Sequence, residues 1–266
     1  MIYPKMRLFA DVCQFHENKE LDWNHIHLYL NLKKYINIGK LDLYGSPPTD
    51  FTHYLILDVR ENLDNDIDKL VYYKKQGIKV VILTFDPMNF PRIKKYIGLG
   101  AIDKVIITDR QFMKEFSNIK GFVSDYFVNS DWFFENSMKS DSDVCMHGHL
   151  NYARKNEYGC HRLENVPSLK WLYMKTQKFN GCAVHDSGYD AEKNLVIHHN
   201  KGKAIETLMS GINSYCQPGI KTKRYDKYLK KYEQIPNPVP IDFEQKEIIT
   251  INDLTIQEFC YEVYNT

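Results

Sequence analysis

The stretch that decides the fold is IKVVILTFD, residues 78–86. Its run of branched apolar residues is typical of a strand buried on both faces of a parallel sheet. Similar runs lie on either side of it, HYLILDV at 53–59 and IDKVIITD at 102–109, each separated from it by a segment with a helical pattern. A first strand is predicted over Arg7–Val12. Strands that alternate with helices predict βαβ units, and therefore an α/β fold with right-handed crossovers.

The connecting segments carry ordinary signals for helices and turns. Asp22 can cap a helix that runs to about Tyr35, and KLDLYG at 40–45 is predicted to be a short second strand. A helix is predicted at about 64–76 and stops at Gly77, because glycine readily takes the left-handed conformation that ends a helix. The segment PMNFPRIKKYIGLG predicts a further helix.

The alternation breaks near 123–140 and then restarts. Strands are predicted at 143–148, 181–186, 194–199 and 212–216, and helices at 168–179 and 204–210. This pattern predicts two Rossmann-like domains facing across a cleft, residues 1–139 and 140–266, with the last helix a candidate to pack back on the first domain. The basic, tyrosine-rich segment at 221–234 is predicted to be a helix, and the chain is predicted to end in a helix capped at Asn252 or Thr255.

Composition excludes several classes of protein. The 266 residues are 43% hydrophobic and carry a net charge of +1, so nucleic-acid binding would have to come from a local basic patch. The six cysteines form no C-x-x-C pair, which argues against a zinc ribbon. His147 and His149 flank Gly148, but no third ligand is evident, so no metal is expected. Without a signal-peptide core or a run of about 20 apolar residues, the chain is expected to be soluble, cytoplasmic and free of membrane spans.

The segment KGKAIETLMSG, residues 201–211, has the features of an anion site. A helix is predicted to begin near Gly202, and the free N–H groups and the dipole of its first turn favour a phosphate. Lys201 and Lys203 add positive charge there. Glu206 lies one helical turn after Lys203, where its carboxylate could accept hydrogen bonds from two ribose hydroxyls. The alternative interpretation is a solvated turn with a weak surface ion pair.

The longer stretch KAIETLMSGINSYC, residues 203–216, resembles the nucleotide-binding helix of GT-B glycosyltransferases. In that family a basic residue and a glutamate precede a helix of small residues, a glycine and an apolar strand. Many members carry a glutamate eight positions before the one matched here, whereas this chain has His198. The resemblance implies a UDP-sugar donor, no cofactor and no metal. It also implies that Arg154, in the loop after the strand at 143–148, binds the diphosphate and acts in catalysis by stabilising it as the leaving group. His185, near the end of the strand predicted at 181–186, is expected to line the cleft and to bind the nucleotide sugar.

The size of the chain, its two halves and the donor-helix motif resemble the compact DNA glucosyltransferases of T-even phages. That resemblance implies transfer of glucose from UDP-glucose to hydroxymethylcytosine in double-stranded DNA, already glucosylated in one type, within the host cytoplasm.

The acceptor side is predicted from polar residues at strand ends and from basic segments. Asp11 and His16 are the candidate catalytic groups there, and Asp86, Lys223 and Arg224 are the candidate acceptor-binding residues. Lysines interleaved with tyrosines at 30–35, 91–96 and 221–232 would offer both phosphate contacts and stacking platforms. Three alternatives stay open: solvated basic surfaces, a glycosyltransferase acting on a cell-surface glycan or lipid, and a non-catalytic module that binds nucleotide sugars.

Overall fold

The computed structural model describes the following parts of the chain: residues 3–11, 31–38, 50–57, 67–84, 89–122, 125, 127, 144–147, 161–163, 182–185, 189–190, 195–196, 205, 208–209, 213–216, 222–231 and 242–266. Within them the chain forms two compact units. The first contains residues 1–125 and 255–266, and the second contains residues 126–254. This division falls at 125/126, whereas the sequence suggested 139/140; the predicted roles of the two halves stay predictions.

A six-stranded, wholly parallel sheet forms the centre of the first unit, in the order β2-β1-β3-β4-β5-β6. Its strands are β1 (Tyr3–Asp11), β2 (Ile36–Ile38), β3 (His53–Leu57), β4 (Lys79–Thr84), β5 (Lys104–Ile107) and β6 (Lys120–Phe122). The four residues Val80 to Leu83 of β4 are completely buried. The predicted α/β class and the strands at 7–12, 53–59, 78–86 and 102–109 are therefore confirmed, with bounds that differ by a few residues.

Helices connect these strands as a Rossmann-like arrangement requires. They are α1 (Ile67–Lys75), α2 (Phe90–Gly98) and a 3₁₀ helix (Arg110–Glu115), and residues 31–35 are also helical. Gly77 follows α1 with a φ of 82°, so the predicted helix stop is confirmed. The strand predicted at 40–45 lies outside the described residues, whereas Ile36–Ile38 directly follow the helical residues and pair with β1.

The second unit is built on a five-stranded parallel sheet in the order β13-β12-β9-β7-β8. Its strands are β7 (Val144–His147), β8 (His161–Leu163), β9 (Cys182–His185), β12 (Asn213–Cys216) and β13 (Leu229–Lys231). The predicted strands at 143–148, 181–186 and 212–216 are thereby confirmed. Of the strand predicted at 194–199, the structure describes β11 (Leu195–Val196), which forms an antiparallel pair with β10 (Tyr189–Asp190), and the rest of the predicted strand lies outside the described residues. The helix predicted at 168–179 lies outside the described residues.

The predicted basic helix at 221–234 is wrong. Residues 222–228 form bends and turns, and the chain then enters β13. The Thr222 N–H and hydroxyl both donate to Oδ1 of Asp226, at 2.7 and 2.6 Å, and this local closure competes with a helix. Tyr225 and Tyr228 are buried, so the alternation of lysine and tyrosine comes from a packed turn and an edge strand.

The last helix, α3 (Gln245–Tyr264), is 20 residues long and starts earlier than predicted. Asn252 and Thr255 lie completely buried inside it and are not its caps. Good helix formers at 245–249 extend the helix towards the N-terminus. Its first half, to Leu254, belongs to the second unit and the rest to the first. No helix of the described residues is long and apolar enough to cross a membrane.

Candidate functional site

The strand order of each sheet reverses at one place, and that place is where ligands bind in open α/β sheets. In the first unit the chain goes from β1 to β2 on one side and then to β3 on the other. Asp11 is the last residue of β1, and its Cα lies opposite that of Ile56 in β3. The predicted acceptor-side residue Asp11 therefore stands at the carboxyl end of the strand beside this reversal.

Three polar residues that were not predicted from the sequence lie at or just after the carboxyl ends of strands in the first sheet. Thr84 ends β4, Thr108 comes directly after β5, and Asp125 comes three residues after β6. All three are buried, Asp125 completely, and each has an interaction partner. The available signal was a hydroxyl or acid at the end of an apolar run, as in ILT, IIT and FVSD.

The opposite, amino edge of the first sheet is occupied by structural ion pairs. Lys74 lies 3.1 Å from Asp103, whose other carboxylate oxygen accepts the Val80 N–H at 2.8 Å. His53, the first residue of β3, is 9% exposed, and its Nδ1 lies 2.8 Å from the Thr52 hydroxyl. Burial first, and then the charge of Lys79, lower the pKa of His53 to about 4. This histidine is consequently neutral at pH 7 and belongs to the packing of the edge.

The reversal in the second sheet lies between β7 and β9. The two strands end in register at their carboxyl ends, with His147 opposite His185. Cys216 of β12 is the next partner in the same row, on the far side of His185. The predicted nucleotide-binding residue His185 thus stands at the reversal, and the sheet order brings His147 beside it although 38 positions separate the two in sequence (185 − 147).

The structure describes the helical part of the donor-helix motif (residues 203–216) at three residues and its strand as β12. Ile205, Leu208 and Met209 are helical and at most 1% exposed. Their i, i+3, i+4 spacing is that of one buried helix face, and the helix predicted at 204–210 is confirmed at these three positions. The side-chain amide of Gln245, the first residue of α3, donates to the carbonyl of Met209. Such a bond satisfies a carbonyl near the end of a helix.

The remaining predicted site residues fall into two groups. His16, Asp86, Arg154, Lys201, Lys203 and Glu206 lie outside the described residues. Lys223 is exposed and Arg224 half-buried in the turn before β13, and both have partners. Asp11 belongs to the first unit, whereas His185, Lys223 and Arg224 belong to the second. The described residues thus place individual members of the predicted site and do not assemble them.

The expectation that tyrosines of the basic segments offer stacking platforms is wrong at three positions. Tyr96 and Tyr225 are completely buried and Tyr228 is 5% exposed. The Tyr228 hydroxyl donates to Glu247, and burial together with this bond raises the pKa of the phenol, so it stays a donor. Lys227 sits 4.4 Å above the Tyr228 ring. These rings are used inside the protein and present no face to a nucleobase.

Cys260 is the cysteine whose side chain is described, and it is free and buried in α3. Burial raises the pKa of its thiol to about 12, so it is not a nucleophile. Among the described residues no group of three histidines, cysteines or acids could hold a metal ion. No protein-family model matches the sequence, and comparison with curated proteins likewise gives no match.

Proposed function

We propose that this protein is a glycosyltransferase of the GT-B type that transfers a hexose, glucose from UDP-glucose, to a hydroxyl acceptor. The acceptor we propose is hydroxymethylcytosine, or its glucosylated form, in DNA. The observation that carries the proposal is that helical, buried Ile205, Leu208 and Met209 are followed in sequence by β12, which pairs with β9 in a parallel sheet. In the family that this chain resembles, the donor-helix motif likewise consists of a helix followed by an apolar strand.

The chemistry required is stabilisation of a leaving diphosphate. The bond between the anomeric carbon and the UDP oxygen breaks, the acceptor oxygen bonds to that carbon, and the acceptor proton passes to a base. Lys201, Lys203 and Arg154 would bind the diphosphate, on which negative charge grows in the transition state. Glu206 would bind the ribose hydroxyls and His185 would line the donor site. No cofactor is part of this scheme.

The acceptor side would be supplied by the first unit. Asp11 stands at the carboxyl end of β1 beside the reversal of strand order, where a general base for the acceptor hydroxyl is needed. His16 and Asp86 follow the carboxyl ends of β1 and β4 in sequence and would complete this side. Lys223 and Arg224 would contact DNA phosphates.

A glycan or lipid acceptor is the second candidate. The observation that favours it is the burial of Tyr96, Tyr225 and Tyr228. Buried rings cannot stack on nucleobases, so these tyrosines no longer support a nucleic-acid acceptor. Phosphate contacts alone predict a steep salt dependence of DNA binding. A DNA affinity that stays the same between about 50 and about 200 mM salt would favour the glycan or lipid acceptor.

The test is release of UDP from UDP-glucose by the full chain, with unmodified, hydroxymethylated and glucosylated hydroxymethylated DNA as acceptors. Glu206→Ala is expected to weaken UDP-glucose binding about 10- to 100-fold, since each hydrogen bond to a charged group contributes about 1.5–3 kcal/mol. Glu244→Ala is the matched control, because Glu244 is exposed just before α3. Wild-type binding by Glu206→Ala, or no UDP release with any nucleotide sugar and acceptor, would refute the proposal.

A further inference from the structure

A row of residues ends the strands of the second sheet at its carboxyl edge. Each member is the Cα partner of the next across neighbouring parallel strands, and each is the last residue of its strand. In spatial order the row reads Leu163, His147, His185, Cys216 and Lys231. Since partners in parallel strands share a face of the sheet, the two histidines occupy neighbouring positions on the same face, with their Cα atoms about 4.8 Å apart.

The pair lies between β7 and β9, where the strand order reverses. In open α/β sheets ligands bind outside the carboxyl ends of the strands at such a reversal, which is where both positions lie. A neutral imidazole offers one N–H donor and an imidazolium offers two. Two neighbouring imidazoles disfavour double protonation, and an anion between them removes that penalty. This placement suits a ligand with several anionic oxygens, such as a diphosphate.

A shared metal ion fits the row less well. His147 and Cys216 are separated by two strand spacings, or about 10 Å, because His185 stands between them. Bonds from zinc to imidazole and thiolate are only about 2.0–2.3 Å long, so one ion would have to draw together side chains from the two ends of this span. The other neighbour of His147 is Leu163, which ligates nothing.

We propose that His147 and His185, at the reversal of the second sheet, contribute to binding the diphosphate of the nucleotide ligand, in addition to the basic residues named above for that role. The inference rests on the proposed function for the identity of the nucleotide, but the anion site follows from the strand register and the residue types. His147 then joins His185 as a ligand-binding residue.

The test is binding of three probes to the full chain at fixed pH and salt. UDP and inorganic pyrophosphate are titrated by calorimetry, and uridine is followed by ligand-observed NMR. His147→Gln and His185→Gln are each expected to weaken UDP and pyrophosphate about tenfold and to leave uridine within twofold of wild type. His149→Gln, two positions from His147, is the matched control and is expected to stay within twofold for all three. Circular dichroism checks folding, and His147→Asn replaces His147→Gln if that variant does not fold.

The outcomes separate the site from the wider function. Wild-type affinity for UDP and pyrophosphate in His147→Gln overturns the diphosphate site, and so does an equal loss of uridine and UDP. Zinc binding that is lost in both His147→Gln and Cys216→Ser also overturns it, in favour of a metal. If the wild type binds pyrophosphate through these histidines but no nucleotide sugar, the anion site stands and the proposed glycosyl transfer fails.

Discussion

Replacing Lys104 by methionine removes the cation that fastens the end of α3 to the first sheet. The Lys104 ammonium lies 2.8 Å from the Glu262 carboxylate, donates to the Glu262 carbonyl at 2.6 Å, and reaches the Asn265 carbonyl at 3.5 Å. It thus pairs a carboxylate and satisfies carbonyls at a helix C-terminus, where positive charge is favourable. Methionine retains most of the aliphatic stem and removes the ammonium group, with its charge and its hydrogen bonds.

The expected magnitude follows from the burial of the pair. Breaking a buried ion pair by removing one partner costs about 3–5 kcal/mol. The side chains of Lys104 and Glu262 are 12% and 23% exposed, so solvent screens the orphaned carboxylate slightly, and we expect a loss of about 2–3 kcal/mol. The double variant Lys104→Met/Glu262→Gln leaves no unpaired charge, and its cost should be only about 1 kcal/mol.

The assay is urea denaturation of the full chain, with hydrogen exchange of the α3 amides at 258–264 as a local measurement, since two compact units need not unfold together. Lys94→Met is the matched control: Lys94 lies 2.6 Å from Glu115, but the two side chains are 48% and 44% exposed, so its loss should cost less than about 1 kcal/mol. A loss below about 0.5 kcal/mol for Lys104→Met, or a double variant as unstable as the two single variants combined, would contradict this reasoning.

Two further predictions concern the same edge of the sheet. The pKa of His53 is about 4 in the folded protein and 6.5 in the unfolded chain. Between pH 6.5 and 4 the unfolded state therefore binds a proton at His53 that the folded state does not bind. Stability should therefore fall by about 2 kcal/mol between pH 6.5 and 4, and His53→Gln should flatten that slope in pH-dependent urea titrations; an unchanged slope would contradict the assignment. A Cβ on Gly121 would lie 2.6 Å from Oε2 of Glu262 and 2.8 Å from Cε of Lys104. Gly121→Ala should cost about 2 kcal/mol by displacing the ion pair, and less in the Lys104→Met background, whereas Gly98→Ala, which meets nothing within 4 Å, should be neutral or stabilising; equal costs of Gly121→Ala in both backgrounds would refute the coupling.

The predicted site was open to sequence reasoning only in part. Asp11 and His185 could be chosen because each ends an apolar run, and the structure places both at the carboxyl ends of strands. Their positions beside reversals of strand order could not be read from the chain, because order in a sheet is set by which strands pair across it. For the same reason the neighbour of His185 was not foreseen, since His147 reaches it only through the pairing of β7 with β9.

The central strands of the two parallel sheets were determined by the sequence alone, whereas the edge strands were decided by the tertiary structure. The predicted strands β1, β3, β4 and β5 lie inside the first sheet, and β7, β9 and β12 lie inside the second. These strands are flanked by strands on both sides, and central strands of a parallel sheet are typically apolar runs, which the sequence pattern reveals. In the two parallel sheets, the strands that were placed wrongly or overlooked are β2, β6, β8 and β13, which are the edges of those sheets and have three residues each. Polar side chains suit such edges, so sequences such as KGF, HRL and LKK carry no apolar signal, and only hydrogen bonding to a neighbouring strand makes them extend.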